Sequence, residues 1–385
     1  MRVFASDHPL NYDYVPIERV TWGVPAAEAV MREVRRLQAR RVFIVASKTL
    51  SRNTEIIAGL RSALGNCEAG IFDDCKEHTP LQSVIACAEA VRGAQPDLIV
   101  TIGGGTPIDT VKLVQLCLSQ NLRTAEALLT LAGRPVTAGS TVRQLVVPTT
   151  LSGGEYSSFA GGTDLVRKTK DMYFGPDLCA RVIVLDPAIT QHTPEWLWLS
   201  TGIRALDHAI EGYCAPTTNA LVQATALHAI KLFSSALRRS KRDPADLAAR
   251  HALQMAVWLA ATSLGRVPFG ASHGIGYCLG TLCGVPHGYT SCVMLPAVLR
   301  WNEPATAALQ QDIAAAMGVP GCSASDAVAA LLQEIGMPRG LSEVGVDRAM
   351  IPMLAAQAVL NPVVMSNPRP IRGLADVADI FALCL

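Results

Sequence analysis

The run DLIVTIGGGTPIDTVK, residues 97–112, reads as strand, glycine turn and helix in immediate succession. Its first part is aliphatic on both faces, as expected of a strand covered on both sides in a parallel sheet. Gly103, Gly104 and Gly105 let the backbone come close to a ligand. Thr106 is expected to cap the helix and Pro107 to occupy its first position. The unpaired N–H groups and helix dipole at such a start favour a phosphate. A plain tight turn would carry the same triplet, and the pattern is not GxGxxG.

Similar alternation extends on either side of this run. PAAEAVMREVRRLQ (25–38) has helical spacing and RVFIVAS (41–47) is a short β-rich run. LQSVIACAEAVRGA (81–94) is helical again, and QLVVPTT (144–150) and VIVLDP (182–187) are two further strands. Apolar strands separated by amphipathic helices predict an α/β domain with a parallel sheet covered on both faces. After Pro187 the chain becomes Ala- and Leu-rich helix broken by Gly, Pro and Asn. The expected organisation is an α/β domain over 1–190 and an all-helical domain over 191–385.

Two other segments support a nucleotide at the sheet. PTTLSGGE (148–155) follows a strand with small hydroxylated residues, among them Thr149, Thr150 and Ser152. Lys170, in VRKTKDMYFGPD, is read as lying on a loop that brings positive charge to the nucleotide. In an open parallel sheet, ligands gather beyond the carboxyl ends of the strands.

Composition narrows the class. The chain has 385 residues, half of them hydrophobic, with a formal net charge of +1. That balance gives no reason to expect a nucleic-acid partner. Eleven cysteines without a CxxC pair read as reduced, buried thiols of a cytoplasmic protein. The first twenty residues have no signal-peptide core, and no uninterrupted apolar run is long enough to span a bilayer, so no membrane partner is expected.

Taken together, four segments resemble the iron-containing alcohol dehydrogenase superfamily. GGGTPIDTVK is similar to its GGGSxxDxAK element, PTTLSGGE to its PTT segment, and TGIRALDHAIEGY (201–213) to its GxDAxxHAxE helix. SHGIGYCLGTLCGVPHG (272–288) is similar to the stretch that carries its last two metal ligands. SNPRPI (366–371) resembles a segment of the maleylacetate reductase branch. The resemblance implies a dinucleotide-binding α/β domain over 1–190 and an all-helical catalytic domain over 191–385, with the active site in the cleft between them. It also implies an oxidoreductase that uses NAD or NADP on a small, carboxylate-bearing carbonyl or enone compound. The implied cofactor contacts are Gly103, Gly104, Gly105, Thr106, Asp109, Thr149, Thr150, Ser152 and Lys170. Where many NAD-preferring relatives carry an aspartate, this chain has Ser47 and Lys48, so NADPH is expected to be accepted too. The N-terminal segment 11–23 resembles a region that joins a homodimer in relatives.

The resemblance breaks at the chemistry. Its metal ligands would be an aspartate at 204 and histidines at 208, 273 and 287, but position 204 is Arg204. A second histidine of its HxxxH element falls at Tyr277. Arginine in place of the carboxylate raises the charge of a divalent site from about +1 to about +3, and unit charges 4 Å apart repel by about 4 kcal/mol at an effective dielectric near 20. The expected catalytic set is therefore Arg204, His208, His273, Tyr277 and His287, working without metal. Arg204 would hold a substrate carboxylate, and a histidine or Tyr277 would donate the proton. If iron or zinc is bound, His208, His273 and His287 are the ligands that remain. A metal-dependent alcohol dehydrogenase with an altered ligand shell and an inactive nucleotide-binding relative are the competing readings. His8, His78, His192, His228 and His251 match no element of the resemblance.

Overall fold

The computed structural model describes residues 11–137 and 139–385, so the first ten residues, His8 among them, lie outside it. The strands are β1 (Arg19–Trp22), β2 (Val42–Ala46), β3 (Glu68–Phe72), β4 (Leu98–Gly103), β5 (Arg143–Pro148), β6 (Phe159–Asp164), β7 (Thr169–Phe174) and β8 (Val182–Leu185). Six of them form one parallel sheet in the order β1-β8-β5-β4-β2-β3, and β6 and β7 form a separate antiparallel hairpin.

The central strands are buried on both faces, and period-two alternation sorts their side chains. Val42, Ile44, Ala46, Leu98, Val100 and Ile102 pack with helices α1 (Ala26–Arg36), α2 (Lys48–Asn53) and α3 (Ile56–Leu64). Phe43, Val45 and Ile99 face the other way, onto α4 (Leu81–Ala94), α5 (Gly105–Ser119) and the short α6 (Ala125–Leu129). Burying each such aliphatic chain contributes on the order of 2 kcal/mol. The chain leaves β2 for β3 on one side and returns to β4 on the other. That reversal opens a crevice between the carboxyl ends of β2 and β4, where the glycine turn stands.

The remainder is helical: α7 (Glu195–Cys214), α8 (Ala220–Arg242), α9 (Leu247–Ala260), α10 (Ala271–Cys283), α11 (His287–Ala316), α12 (Ala324–Ile335), α13 (Ile351–Ala358), α14 (Pro362–Met365) and α15 (Leu374–Ala382). α7 is its axis, buried at every residue from Trp198 to Cys214. The largest apolar cluster joins α7, α8, α9, α11 and α12 to Ile108 of α5, Val146 of β5 and Ile183 of β8. Part of the seam between the sheet and the helices is therefore apolar core. Among the described residues only α8 is long and apolar enough to cross a membrane, and here it packs into that core.

Three sequence expectations are corrected. Helix α5 starts at Gly105 with Gly104 as its cap, so Thr106 makes no capping bond and Pro107 is the third residue of the first turn, where its missing N–H costs nothing. The segment around Lys170 is strand β7, with Thr163 opposite Lys170 in the hairpin register. All eleven cysteines are free, but they are not all buried, Cys322 being exposed.

Candidate active site

The glycine turn is shaped by what crowds it. A Cβ on Gly103 would fall 2.6 Å from Pro107 Cγ, and one on Gly104 would fall 2.7 Å from Thr150 Cγ2. Gly103 also has φ +156°, which side-chain-bearing residues rarely adopt. The carbonyl of Gly103 accepts from the N–H of Thr149 at 3.0 Å, and the hydroxyls of Thr150 and Ser152 are 3.1 Å apart beside the turn. On the other flank the N–H of Ser47 donates to Ile102 O at 3.1 Å. Ser47, the glycine run, Thr149, Thr150 and Ser152 thus converge at the crevice. Lys48, at the first position of α2, shares its surroundings with Arg52, Asp73 and Asp74, the last two carboxylates coming from the end of β3.

Two expected cofactor residues are engaged elsewhere. Asp109 Oδ2 accepts from the N–H of Gly161 at 3.2 Å, which ties α5 to the hairpin. Lys170 Nζ lies 3.1 Å from His287 Nε2, on the helical side of the cleft. Sequence reasoning also passed over Lys112. Its buried ammonium donates to Gly154 O at 2.5 Å, Ser157 Oγ at 2.9 Å and Phe159 O at 2.7 Å, fastening the loop after β5 to α5. Nearby Glu155 is buried with Oε2 unbonded, and burial pushes its carboxyl up to about 7.

On the opposite wall, α7 places Arg204, Asp207, His208 and Glu211 on neighbouring turns of a buried helix. Buried polar groups of this kind require partners. Glu211 accepts backbone N–H groups of Gly270 (3.1 Å), Ser272 (2.9 Å) and His273 (3.3 Å), and its Oε2 is 2.7 Å from His273 Nδ1. With so many donors directed at it, Glu211 is a carboxylate and His273 Nδ1 carries the proton. His273 Nε2 is then a bare acceptor, and it has no partner among the described residues. Burial lowers His273 to about 3, and lowers His208 well below the usual range, so both rings are neutral. They stack with centroids 4.9 Å apart, against Phe269.

Arg204 is buried and donates to Ser291 Oγ at 3.0 Å, and Ser291 in turn donates to Asp207 Oδ2 at 2.7 Å. The guanidinium lies 5.4 Å from the Tyr277 ring centre. Tyr277 stands between His273 and His287, edge-on to both. A lysine ammonium has only donors, so Lys170 donates to His287 Nε2.

Sequence reasoning gave no role to Glu211 or Ser291, although an acid three residues after His208 in an apolar helix was a visible signal. Nor did it see what SNPRPI does. Asn367 Oδ1 accepts from Ala271 N at 3.1 Å and from Asn302 Nδ2 at 3.1 Å, which fixes the first turn of the His273 helix.

The class defined by this fold and cleft is a dinucleotide-type α/β unit joined to a helical catalytic unit. Residues 18–187 match the model of the iron-containing alcohol dehydrogenase family, and residues 198–384 match that of the Fe-containing alcohol dehydrogenase family, C-terminal. The chain belongs to this family and is an oxidoreductase. It is 32% identical to "Dehydrogenase FUM7" of Gibberella moniliformis, over 91% of this chain and 92% of that one. The structure of maleylacetate reductase from Agrobacterium tumefaciens superimposes with TM-score 0.84 at 26% identity, over 98% of each chain. Sulfoacetaldehyde reductase from Bifidobacterium kashiwanohense, solved in complex with NAD+, shares the fold at TM-score 0.88 and 22% identity, over 98% of this chain and 99% of that one.

The family's name implies a metal, and the donor set here does not fit one held by the three histidines. Position 204 presents a guanidinium and His287 Nε2 faces Lys170 Nζ at 3.1 Å, which leaves His273 Nε2, with Nδ1 held by Glu211, as the ring nitrogen still disposed as a ligand. Among the described residues, the carboxylate and imidazole atoms that lie within 4.8 Å of one another belong to Asp207, Glu211 and His273. Glu211 already bonds His273 and the backbone, and Asp207 already accepts from Ser272 and Ser291.

Proposed function

We propose that the protein is an NAD(P)H-dependent reductase of a small, carboxylate-bearing carbonyl or enone compound, working without a metal. The observation that carries this reading is Arg204, a buried guanidinium in the place of a ligand carboxylate, with no carboxylate within salt-bridge distance among the described residues. A buried cation without a contact anion is a receptor for one, and the planar guanidinium suits a carboxylate.

A reduced nicotinamide nucleotide, with its phosphates on the turn of Gly103, Gly104 and Gly105, supplies the hydride. Arg204 anchors the carboxylate and thereby orients the reacting carbon toward the sheet. Tyr277 provides the proton, because His273 turns an acceptor nitrogen to the cleft and His287 Nε2 already accepts from Lys170. His208 and His273 shape the wall beside Phe269. The division into two domains near residue 190 and a cytosolic setting for the free thiols belong to the same reading, as does a homodimer formed at the free edge of β1.

NAD(P)H oxidation followed across keto acids, aldehydes and maleylacetate tests the activity, and metal analysis of the purified protein tests the metal-free mechanism. About one tightly held metal per chain, with activity lost on chelation and restored by metal, would overturn that mechanism in favour of an altered-shell alcohol dehydrogenase.

A further inference from the structure

The stretch 149–152, directly after β5, divides its contacts between the two halves of the molecule. Thr150 and Ser152 turn to the glycine run: a Cβ on Gly104 would overlap Thr150, and one on Gly105 would lie 3.4 Å from Ser152 Oγ. Thr149 and Leu151 are held from the helical half. Thr193, just ahead of α7, donates its hydroxyl to Thr149 O at 2.7 Å. The N–H of Leu151 donates to Thr201 Oγ1, on α7 itself, at 3.1 Å. That hydroxyl sends its proton back to Leu197 O at 2.7 Å, so a lone pair is left for the loop. Leu151 and Thr201 are both buried. Packing closes the same joint, since a Cβ on Gly202 would fall 3.0 Å from Leu151 Cδ1 and 2.7 Å from Leu237 Cδ2.

We propose that Thr201 is a positioning residue that sets the nucleotide loop in register with Arg204. Arg204 follows Thr201 by three residues on the same face of α7, about 4.5 Å along its axis. α7 is unbroken from Glu195 to Cys214 and buried from Trp198 onward, so a shift at Thr201 is carried to Arg204. The loop seats the hydride donor and Arg204 seats the acid, and hydride transfer needs the two reacting carbons close and aligned. The glycine turn fixes the phosphates on the sheet, but it does not fix their distance from α7. Without the Thr201 oxygen, the Leu151 N–H loses its acceptor in a buried joint, and the loop must move to find another. The inference rests on the proposed reductase reading and adds to it a residue that acts through the loop and through Arg204.

The test uses the full-length protein with NADPH and whichever acid, among keto acids and maleylacetate, the wild type reduces fastest. Single-turnover oxidation of NADPH and of its 4-deuterated form at saturating acid reads hydride transfer directly, and titrations give Kd for each ligand. Thr201→Val keeps the side chain's shape and removes the acceptor. It should slow the single-turnover rate at least about tenfold, with a deuterium effect no smaller than in wild type. Both Kd values should stay within about threefold of wild type, because the phosphate turn and the guanidinium are untouched. Thr201→Ser, which keeps the hydroxyl, should recover most of the rate. Thr193→Val breaks the neighbouring tie and should show the same signature, and it decides the matter should Thr201→Val fail to fold. An unchanged single-turnover rate in Thr201→Val overturns the inference. So does a loss confined to weaker NADPH or acid binding, or one that Thr201→Ser does not recover, since either marks a merely structural contact. A wild type that oxidises NADPH with none of these acids sinks the reductase reading itself, on which the register depends.

Discussion

The two walls of the cleft are built on opposite principles. The sheet wall is made of backbone: Gly103, Gly104 and Gly105 present N–H groups and no side chains, and Pro107 and Thr150 leave no room for one on Gly103 or Gly104. The helical wall is made of buried polar side chains: Arg204, Asp207, His208, Glu211 and His273 are held by one another, by Ser272 and Ser291, and by a helix N-terminus. A backbone cradle tolerates much sequence change around it provided the glycines stay. A side-chain cluster can change its chemistry by one substitution, and Arg204 is such a change. The pairing explains how the chain keeps a nucleotide-type turn while position 204 carries a guanidinium.

Disturbing each wall separately tests that contrast. Gly104→Val puts a branched chain against Thr150 and should weaken nucleotide binding roughly a hundredfold, about 2.7 kcal/mol, with the acid site intact. Fluorescence titration with NADH and NADPH measures it, and an unchanged affinity for both would remove the glycine turn from the site. Arg204→Ala should act only on the other wall, lowering kcat/KM for the acid by about 2 kcal/mol, the scale of a lost charged hydrogen bond. Arg204→Lys should recover part of that, since a point charge cannot reproduce the guanidinium fork. Arg204→Asp should gain zinc or iron affinity while losing activity; a variant that remains metal-free would show that more than residue 204 has departed from a ligand set.

Glu155 gives a smaller effect at the seam. Its folded pKa, about 7, lies above the ordinary glutamate value near 4.3, so the folded state binds the proton more tightly. Its contribution is fully present below about pH 4 and is lost as pH rises toward 7. Glu155→Gln should therefore flatten the pH dependence of stability across that window and raise stability above pH 7 by roughly 1 kcal/mol. Thermal unfolding at several pH values reads this directly, and parallel profiles for the two proteins would contradict it. Cofactor choice should show the smallest effect. Lys48 and Arg52 are offset by Asp73 and Asp74, so steady-state kinetics should find NADPH used within about tenfold of NADH.

The sequence by itself determined the local matters. Aliphatic strands and helical spacing gave the α/β half and the helical half, because backbone period and burial are written in neighbouring residues. The glycine turn and the threonines after β5 were legible for the same reason, and Arg204 and Tyr277 stood out where the family motifs expect an aspartate and a histidine. The hairpin was not legible: β7 reads Thr-Lys-Asp-Met-Tyr-Phe, more polar than a core strand, and its partner β6 is rich in glycine. Only the tertiary structure decided that Lys170 meets His287, 117 residues away, and that Glu211 holds His273 in one tautomer. Those contacts depend on how two separately folding patterns dock across a shared apolar seam. No local spacing encodes that, because the energy that fixes it comes from burial between distant segments.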